Sequence, residues 1–278
     1  MNLLAPLNHK KSRFNEQLAT GALVGILGSK GGVGATTLAV NLAADLSRSL
    51  KQESPICLLD ANLQQPDAAL YLNCRPENTL CDLLSRSANL ESQTIEACKI
   101  HVDATHNLRL ISPPVDGSAA TRQDRDELSA CLPKIAQSSS ITVVDLPRRL
   151  DKSLVMLLDQ CQLIVLVVEP NVASIASARR WLDVFKDLEY PEEKVILAAN
   201  RLGSKAKLLE TQLSSSFERH SLFKIPNAFK AIETSQIEGV ALSFANPKDP
   251  YTKAISALSL ELLKRIRQAA DSQNSEEK

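Results

Sequence analysis

The chain has 278 residues, 44% of them apolar and 23% charged, and its 32 basic side chains balance 32 acidic ones. That length allows one or two domains around a sizeable core. The apolar content excludes wholesale disorder, and zero net charge excludes a protein that grips nucleic acid through bulk positive charge.

Residues 1–20 are polar, lack a clear period and read as a tail; Lys10, Lys11, Arg13 and Glu16 break any signal-peptide pattern. Ala22–Gly28 (ALVGILG) is a compact apolar run closed by glycine, which predicts a buried strand. Val33–Gln52 repeats apolar residues near the helical period. Pro55–Asp60 is a second buried strand ending in a carboxylate. Leu80–Leu90 and Ser92–Ile100 read as helices, and Asn107–Ser112 as a strand. Arg122–Leu132 is an amphipathic helix expected to stop near Pro133. Ile141–Asp145 (ITVVD) is a strand ending in Asp. Leu163–Val168 follows as a strand; it is also the longest strictly apolar run, far too short to span a membrane. Beyond it come a helix over Val172–Leu188, a strand over Lys194–Asn200, a helix over Ala206–His220, a strand over Leu222–Ile225 and a last helix over Tyr251–Ala269. Ser272–Lys278 reads as a polar tail.

Short, wholly apolar strands alternating with helices predict an α/β fold: one domain over residues 21–270, with a doubly wound, mostly parallel sheet flanked by helices. Such sheets bind ligands at the carboxyl ends of their strands. Ser29–Thr37, Asp60–Asp67 and Asp145–Arg149 all fall there. The six cysteines, Cys57, Cys74, Cys81, Cys98, Cys131 and Cys161, include no Cys-x-x-Cys pair, so free thiols in a reducing cytoplasm are expected.

The first of these sites reads Gly28-Ser29-Lys30-Gly31-Gly32-Val33-Gly34-Ala35-Thr36-Thr37. Its glycines let backbone N–H groups turn inward as an anion nest at a helix N-terminus. Thr36 is placed for Mg²⁺ and Thr37 for a phosphate oxygen. The ordinary phosphate loop, G-x-x-x-x-G-K-[ST], fails twice: Ser29 stands at its first glycine and Ala35 at its lysine. A dinucleotide fingerprint fits less well, because Thr37 stands where it needs Gly or Ala. What survives, Lys-Gly-Gly-x-Gly-x-Thr-Thr, resembles the deviant Walker A loop of the ParA/MinD partitioning ATPases. The run Asp60-Ala61-Asn62-Leu63-Gln64-Gln65-Pro66-Asp67 resembles that of the TadZ/CpaE pilus-assembly branch, as does Asp145-Leu146-Pro147-Arg148. Asn62 replaces that branch's second Asp, and an amide orients water but takes no proton. Asp60 alone also suits a helix cap or a turn. Ala198-Ala199-Asn200-Arg201, and Ile225-Pro226-Asn227 with Gln236–Leu242, resemble the family's base-side segments.

The resemblance implies ATP and Mg²⁺ as cofactors and a homodimer formed across the nucleotide. Lys30 would act in trans, Gly31, Gly32, Val33, Gly34, Ala35, Thr36 and Thr37 would cradle phosphates, and Asn200, Arg201, Pro226 and Asn227 would frame the base. Thr36, Asp60 and Asp145 would serve the metal, and Asn62 would position water poorly. It further implies protein partners in a pilus or secretion machine, and a cytoplasmic location with at most peripheral contact at the inner membrane or cell pole. Many members of that branch carry a receiver-like domain ahead of the ATPase; here at most 20 residues stand ahead of the domain expected over 21–270. Two rivals stand beside this reading: a chromosome- or plasmid-partitioning or division-positioning ATPase, and a scaffold that has lost its nucleotide.

Other constellations are weaker. His101, Asp103 and His106 suit a solvated loop better than a metal site. Arg179, Arg180 and Trp181, and Arg201 with Lys205 and Lys207, are short basic spots that read as helix faces more than as DNA contacts. The last helix carries Ile255, Leu258, Leu262, Leu263 and Ile266, a stripe expected to pack on the sheet and not to enter a membrane.

Overall fold

Alternation along the first strand already divides the molecule into two faces. Ala22, Val24 and Ile26 join one apolar cluster, while Leu23 and Leu27 join the other. This computed structural model describes residues 21–50, 55–102, 107–115, 122–203, 207–218 and 220–276. Its strands are β1 (Ala22–Gly28), β2 (Ile56–Asp60), β3 (Ile100–His101), β4 (Leu108–Ile111), β5 (Ile141–Asp145), β6 (Leu163–Val168), β7 (Val195–Leu202) and β8 (Ser221–Pro226). They form one sheet in the order β3-β4-β2-β5-β1-β6-β7-β8. Every pair is parallel except β3 with β4. The expected doubly wound, mostly parallel sheet is therefore present, with an antiparallel edge.

Helices cover both faces. On one side lie α1 (Ala35–Ser49) and the last helix, α11 (Pro250–Glu276). On the other lie α5 (Arg122–Gln137), α6 (Lys152–Gln160) and α7 (Val172–Asp187). Shorter helices fill the connections: α2 (Ala68–Tyr71), α3 (Leu80–Leu84), α4 (Ser92–Ala97), α8 (Lys207–Ser216), α9 (Phe229–Glu238) and α10 (Leu242–Ala245).

Several elements differ from expectation for local reasons. Helix α5 does not stop at Pro133 but runs through it to Gln137. Proline leaves the Ser129 carbonyl without its helical partner, and the Gln160 side chain donates to that oxygen at 2.8 Å. The segment Leu80–Leu90 ends as α-helix at Leu84, leaving a 3₁₀ turn at Ser87–Asn89; its start is fixed by a reciprocal capping box between Thr79 and Asp82. Ile100 belongs to the two-residue strand β3 and not to the preceding helix, which ends at Ala97. Helix α11 continues past Ala269 to Glu276. Gly239 closes α9 with φ +69°, and a Cβ there would sit 2.3 Å from Asn73 Cβ, so glycine lets α9 close against the turn after α2.

The apolar stripe of α11 packs into the core. Ile255, Leu258, Leu262, Leu263 and Ile266 are buried against α1 and β8, while Leu260 on another face is exposed. No described helix is long and apolar enough to cross a membrane. Leu262 has no exposed surface, so Leu262→Ala should lower unfolding stability by about 2–5 kcal/mol. Leu260→Ala should change it little; denaturant titration of the two variants checks the assignment.

Candidate functional site

The parallel strands deliver Gly28, Asp60 and Asp145 to one edge of the sheet. Ile26 pairs with Asp145, and Asp145 pairs with Asp60, so two carboxylates sit side by side next to the end of β1. The loop after Gly28 then enters α1. Gly34 takes the N-cap position with φ 86°, gives no side-chain cap, and no acid stands in the first turn. The positive end of this 15-residue helix is thus left for an outside anion.

The loop is held from two directions. Asn200, buried at the end of β7, donates from Nδ2 to the Val33 carbonyl at 2.8 Å. A Cβ on Gly34 would come within 2.6 Å of that same Nδ2, so only glycine fits both the backbone and the neighbour. At the loop's other end Ser29 is buried, with its Oγ 2.9 Å from Ser174 Oγ in α7. Ser177 Oγ donates to the Ser29 carbonyl at 2.7 Å. The serine that breaks the ordinary motif is therefore a fastening to α7.

The carboxylates differ in their partners. Asp60 accepts from the Asn62 amide at 2.9 Å and the Ala68 amide at 3.1 Å, fixing the chain between β2 and α2. Asp145 Oδ2 accepts from Thr36 Oγ1 at 2.6 Å and from Asn62 Nδ2 at 2.9 Å. Asp145 Oδ1 is buried and has no partner. Burial pushes the Asp60 carboxyl up to about 6, against the pull of its amide donors. Burial, and then the charge of Asp60, raise Asp145 well above the usual carboxylate range. Burial also raises Asp67. An oxygen with spare lone pairs, next to a hydroxyl and facing an anion cup, suits a hard divalent cation. Thr36 and Asp145 fit Mg²⁺ on this ground. Asp60 has both oxygens occupied by backbone donors.

Loop and carboxylates surround a cavity of about 500 Å³, lined also by Lys30, Asn62, Asp67, Tyr71, Arg148 and Arg201. A smaller recess of about 190 Å³ adjoins it between Asn200, Arg201, Asn227, Phe229, Gln236 and Tyr251. Gly34, Thr37, Tyr71 and Arg201 line both. Arg201 has φ 58° and is ion-paired with Glu169 at 2.5 Å. Pro226 ends β8 opposite Leu202 and lines neither space. Lys30 lines the larger space, half-buried, with no hydrogen bond or ion pair among the described residues.

Sequence reasoning thus collected most of the cavity wall. It missed the tether from Asn200 to the loop, the serine fastening, and Tyr71 at the boundary of the two spaces. None of these has a local motif; each arises from chain segments far apart in sequence. His101 is exposed, with Nδ1 3.3 Å from Arg109 Nη1, while Asp103 and His106 lie outside the described residues. Among the described residues no group of three or more His, Cys, Asp or Glu side chains is gathered as a metal site would need. Lys205 also lies outside them. Arg179 donates to Ser216 and Trp181 is buried.

The AAA domain family (AAA_31) matches residues 21–196, and the chain belongs to it. An uncharacterized ATP-binding protein of Methanocaldococcus jannaschii is 24% identical over 241 residues, covering 86% of this chain and 87% of the relative. The crystal structure of a ParA family ATPase from Chlorobium tepidum superposes with a TM-score of 0.73 at 23% identity, covering 86% of this chain and 99% of that one. Septum site-determining protein MinD of Pyrococcus horikoshii, complexed with Mg-ADP, gives 0.73 at 19%, covering 87% and 95%. The fold is that of the ParA and MinD ATPases.

The raised carboxyls make a signed prediction. A folded-state pKa above the unfolded value means that the folded chain holds its proton longer. Ionisation of Asp60 and Asp145 therefore costs stability as pH rises from about 4 towards 7. Asp145→Asn removes one of these charges and keeps an oxygen for Thr36 and Asn62. Without ligand, its stability advantage over the parent should grow from pH 4.5 to 7.5. Denaturant titrations at several pH values read this difference.

Proposed function

We propose that the protein binds ATP and Mg²⁺ at this cleft and works as a nucleotide-dependent dimerisation switch with slow or absent hydrolysis. The observation that carries this reading is the partnerless, buried Oδ1 of Asp145 beside Thr36, at the mouth of a glycine-rich cup on a helix N-terminus. The triphosphate would lie along Gly31–Thr37, where backbone N–H groups and the helix dipole favour negative charge. Thr36 and Asp145 would hold Mg²⁺, which supplies neutralisation of phosphate charge. The base would take the recess between Asn200, Arg201 and Asn227, while Pro226 shapes the chain before it. Lys30, free of internal partners among the described residues, would reach the nucleotide of a second copy.

Slow turnover follows from two residues. Ala35 offers no cation at the position where a phosphate loop carries lysine, and Asn62 donates to Asp145 instead of accepting a proton from water. Support for ATP comes also from the relative named as ATP-binding and from the Mg-ADP complex of the MinD structure.

The run Asp60, Leu63, Gln64 and Asp67, with Leu146-Pro147-Arg148, supports a TadZ/CpaE-like role in placing or assembling a pilus or secretion apparatus, from the cytoplasm or from the inner face of the membrane at a pole. A second reading is a partitioning or division-positioning ATPase, favoured by the ParA and MinD names of the similar structures.

Calorimetry with MgATP tests the switch; absence of uptake by the concentrated protein would sink it. Ala35→Lys should tighten ATP binding by about 10-fold or more, since charge-assisted hydrogen bonds to phosphate are the strong ones. Phosphate release should stay below about 1 s⁻¹ in the parent chain. Light scattering should show mass doubling with ATP, abolished in Lys30→Ala.

A further inference from the structure

Arg148 is given no contact with the nucleotide in the reading above, yet it stands beside the glycine-rich loop that lacks its usual lysine. It follows Asp145-Leu146-Pro147, so it leaves the end of β5 directly at the cleft. A Cβ built on Gly31 would meet Arg148 Nη1 at 3.2 Å, Cζ at 3.3 Å and Nη2 at 3.4 Å. Three atoms of one plane at nearly one distance mean that the guanidinium lies face-on across Gly31. Any side chain at position 31 would push it away.

The other cations of the cavity are engaged or differently placed. Arg201 is ion-paired with Glu169, and Arg149 lies 3.7 Å from Asp151. Lys30 and Arg148 alone among the cavity's basic residues lack an ion pair among the described residues. Arg148 is exposed, lines the cavity and makes no hydrogen bond among the described residues. A free, always-charged planar fork beside an anion cup is suited to grip two phosphate oxygens at once.

We propose that Arg148 is a phosphate-binding residue of this site, supplying from the end of β5 the positive charge that Ala35 cannot supply from the loop. The inference rests on the nucleotide reading and assigns its β/γ-phosphate contact. It makes the change at position 35 a relocation of charge. It also explains why the loop keeps glycine at 31, where the backbone has no positive φ that would demand one.

The test titrates MgATP into the parent chain, Arg148→Ala, Arg148→Lys and the double variant Arg148→Ala/Ala35→Lys. Arg148→Ala should weaken binding about 10-fold or more with the unfolding midpoint unchanged. Arg148→Lys should recover part of the loss, and the double variant most of it. Parent-like affinity in Arg148→Ala overturns this inference while leaving the nucleotide reading intact. A loss that Ala35→Lys does not repair also overturns it, because the charge would then not be exchangeable between the two positions. No uptake of ATP by the parent overturns the nucleotide reading and this inference with it.

Discussion

One carboxylate, buried at the end of β5, ties three remote segments into a single site. Asp145 accepts from Thr36 at the start of α1 and from Asn62 after β2, while its strand neighbours are β1 and β2 themselves. Burying such a group beside a second carboxylate is unfavourable unless donors surround it or a cation balances it. Asp60 resolves the problem by directing both oxygens to backbone amides. Asp145 resolves it only halfway, with one oxygen accepting twice and the other without a partner. Burial, and then the charge of Asp60, raise its proton affinity, and a cation beside the partnerless oxygen would offset both.

The substitutions that break the ordinary phosphate-loop pattern become intelligible together. Ser29 exchanges a flexible glycine for a hydroxyl locked to α7. Asn62 exchanges a third acid near Asp60 and Asp145 for a donor that satisfies one of them. Ala35 removes a cation from the loop, and the guanidinium over Gly31 stands beside the same cup. Each change favours a cup that stays assembled without ligand. A charged dyad at 62 or a mobile loop at 29 would depend more strongly on nucleotide and metal to hold it in shape.

The strands were legible because short, mostly apolar runs have few alternatives in a sheet covered on both sides. Their order was not, since it depends on crossovers that no local pattern encodes. The candidate site was readable wherever residues were contiguous: the loop, Asp60–Asp67 and Asp145–Arg148. Contacts made across the sheet were not. Asn200 could be placed near a base by resemblance, but its grip on Val33 needs the distance between β7 and the loop. Short elements failed for a different reason. Two residues of β3 carry no period, and Pro133 looked like a stop because the rescuing Gln160 stands on another helix.

Charge relocation has a mechanical consequence. A lysine on the loop would move with the loop and the first turn of α1. Arg148 instead stands three residues beyond the end of β5, so cation and metal-suited carboxylate come from one short segment of chain. Binding of an anion between them would then couple the loop to the central strand directly. The same anion would compete with Asn62 for Asp145, through any cation it brings, and loosen the chain between β2 and α2. That chain lines the cleft, and α2, which follows it, carries the exposed Leu70. Occupancy of the cup would thereby be linked, by one shared carboxylate oxygen, to the chain between β2 and α2.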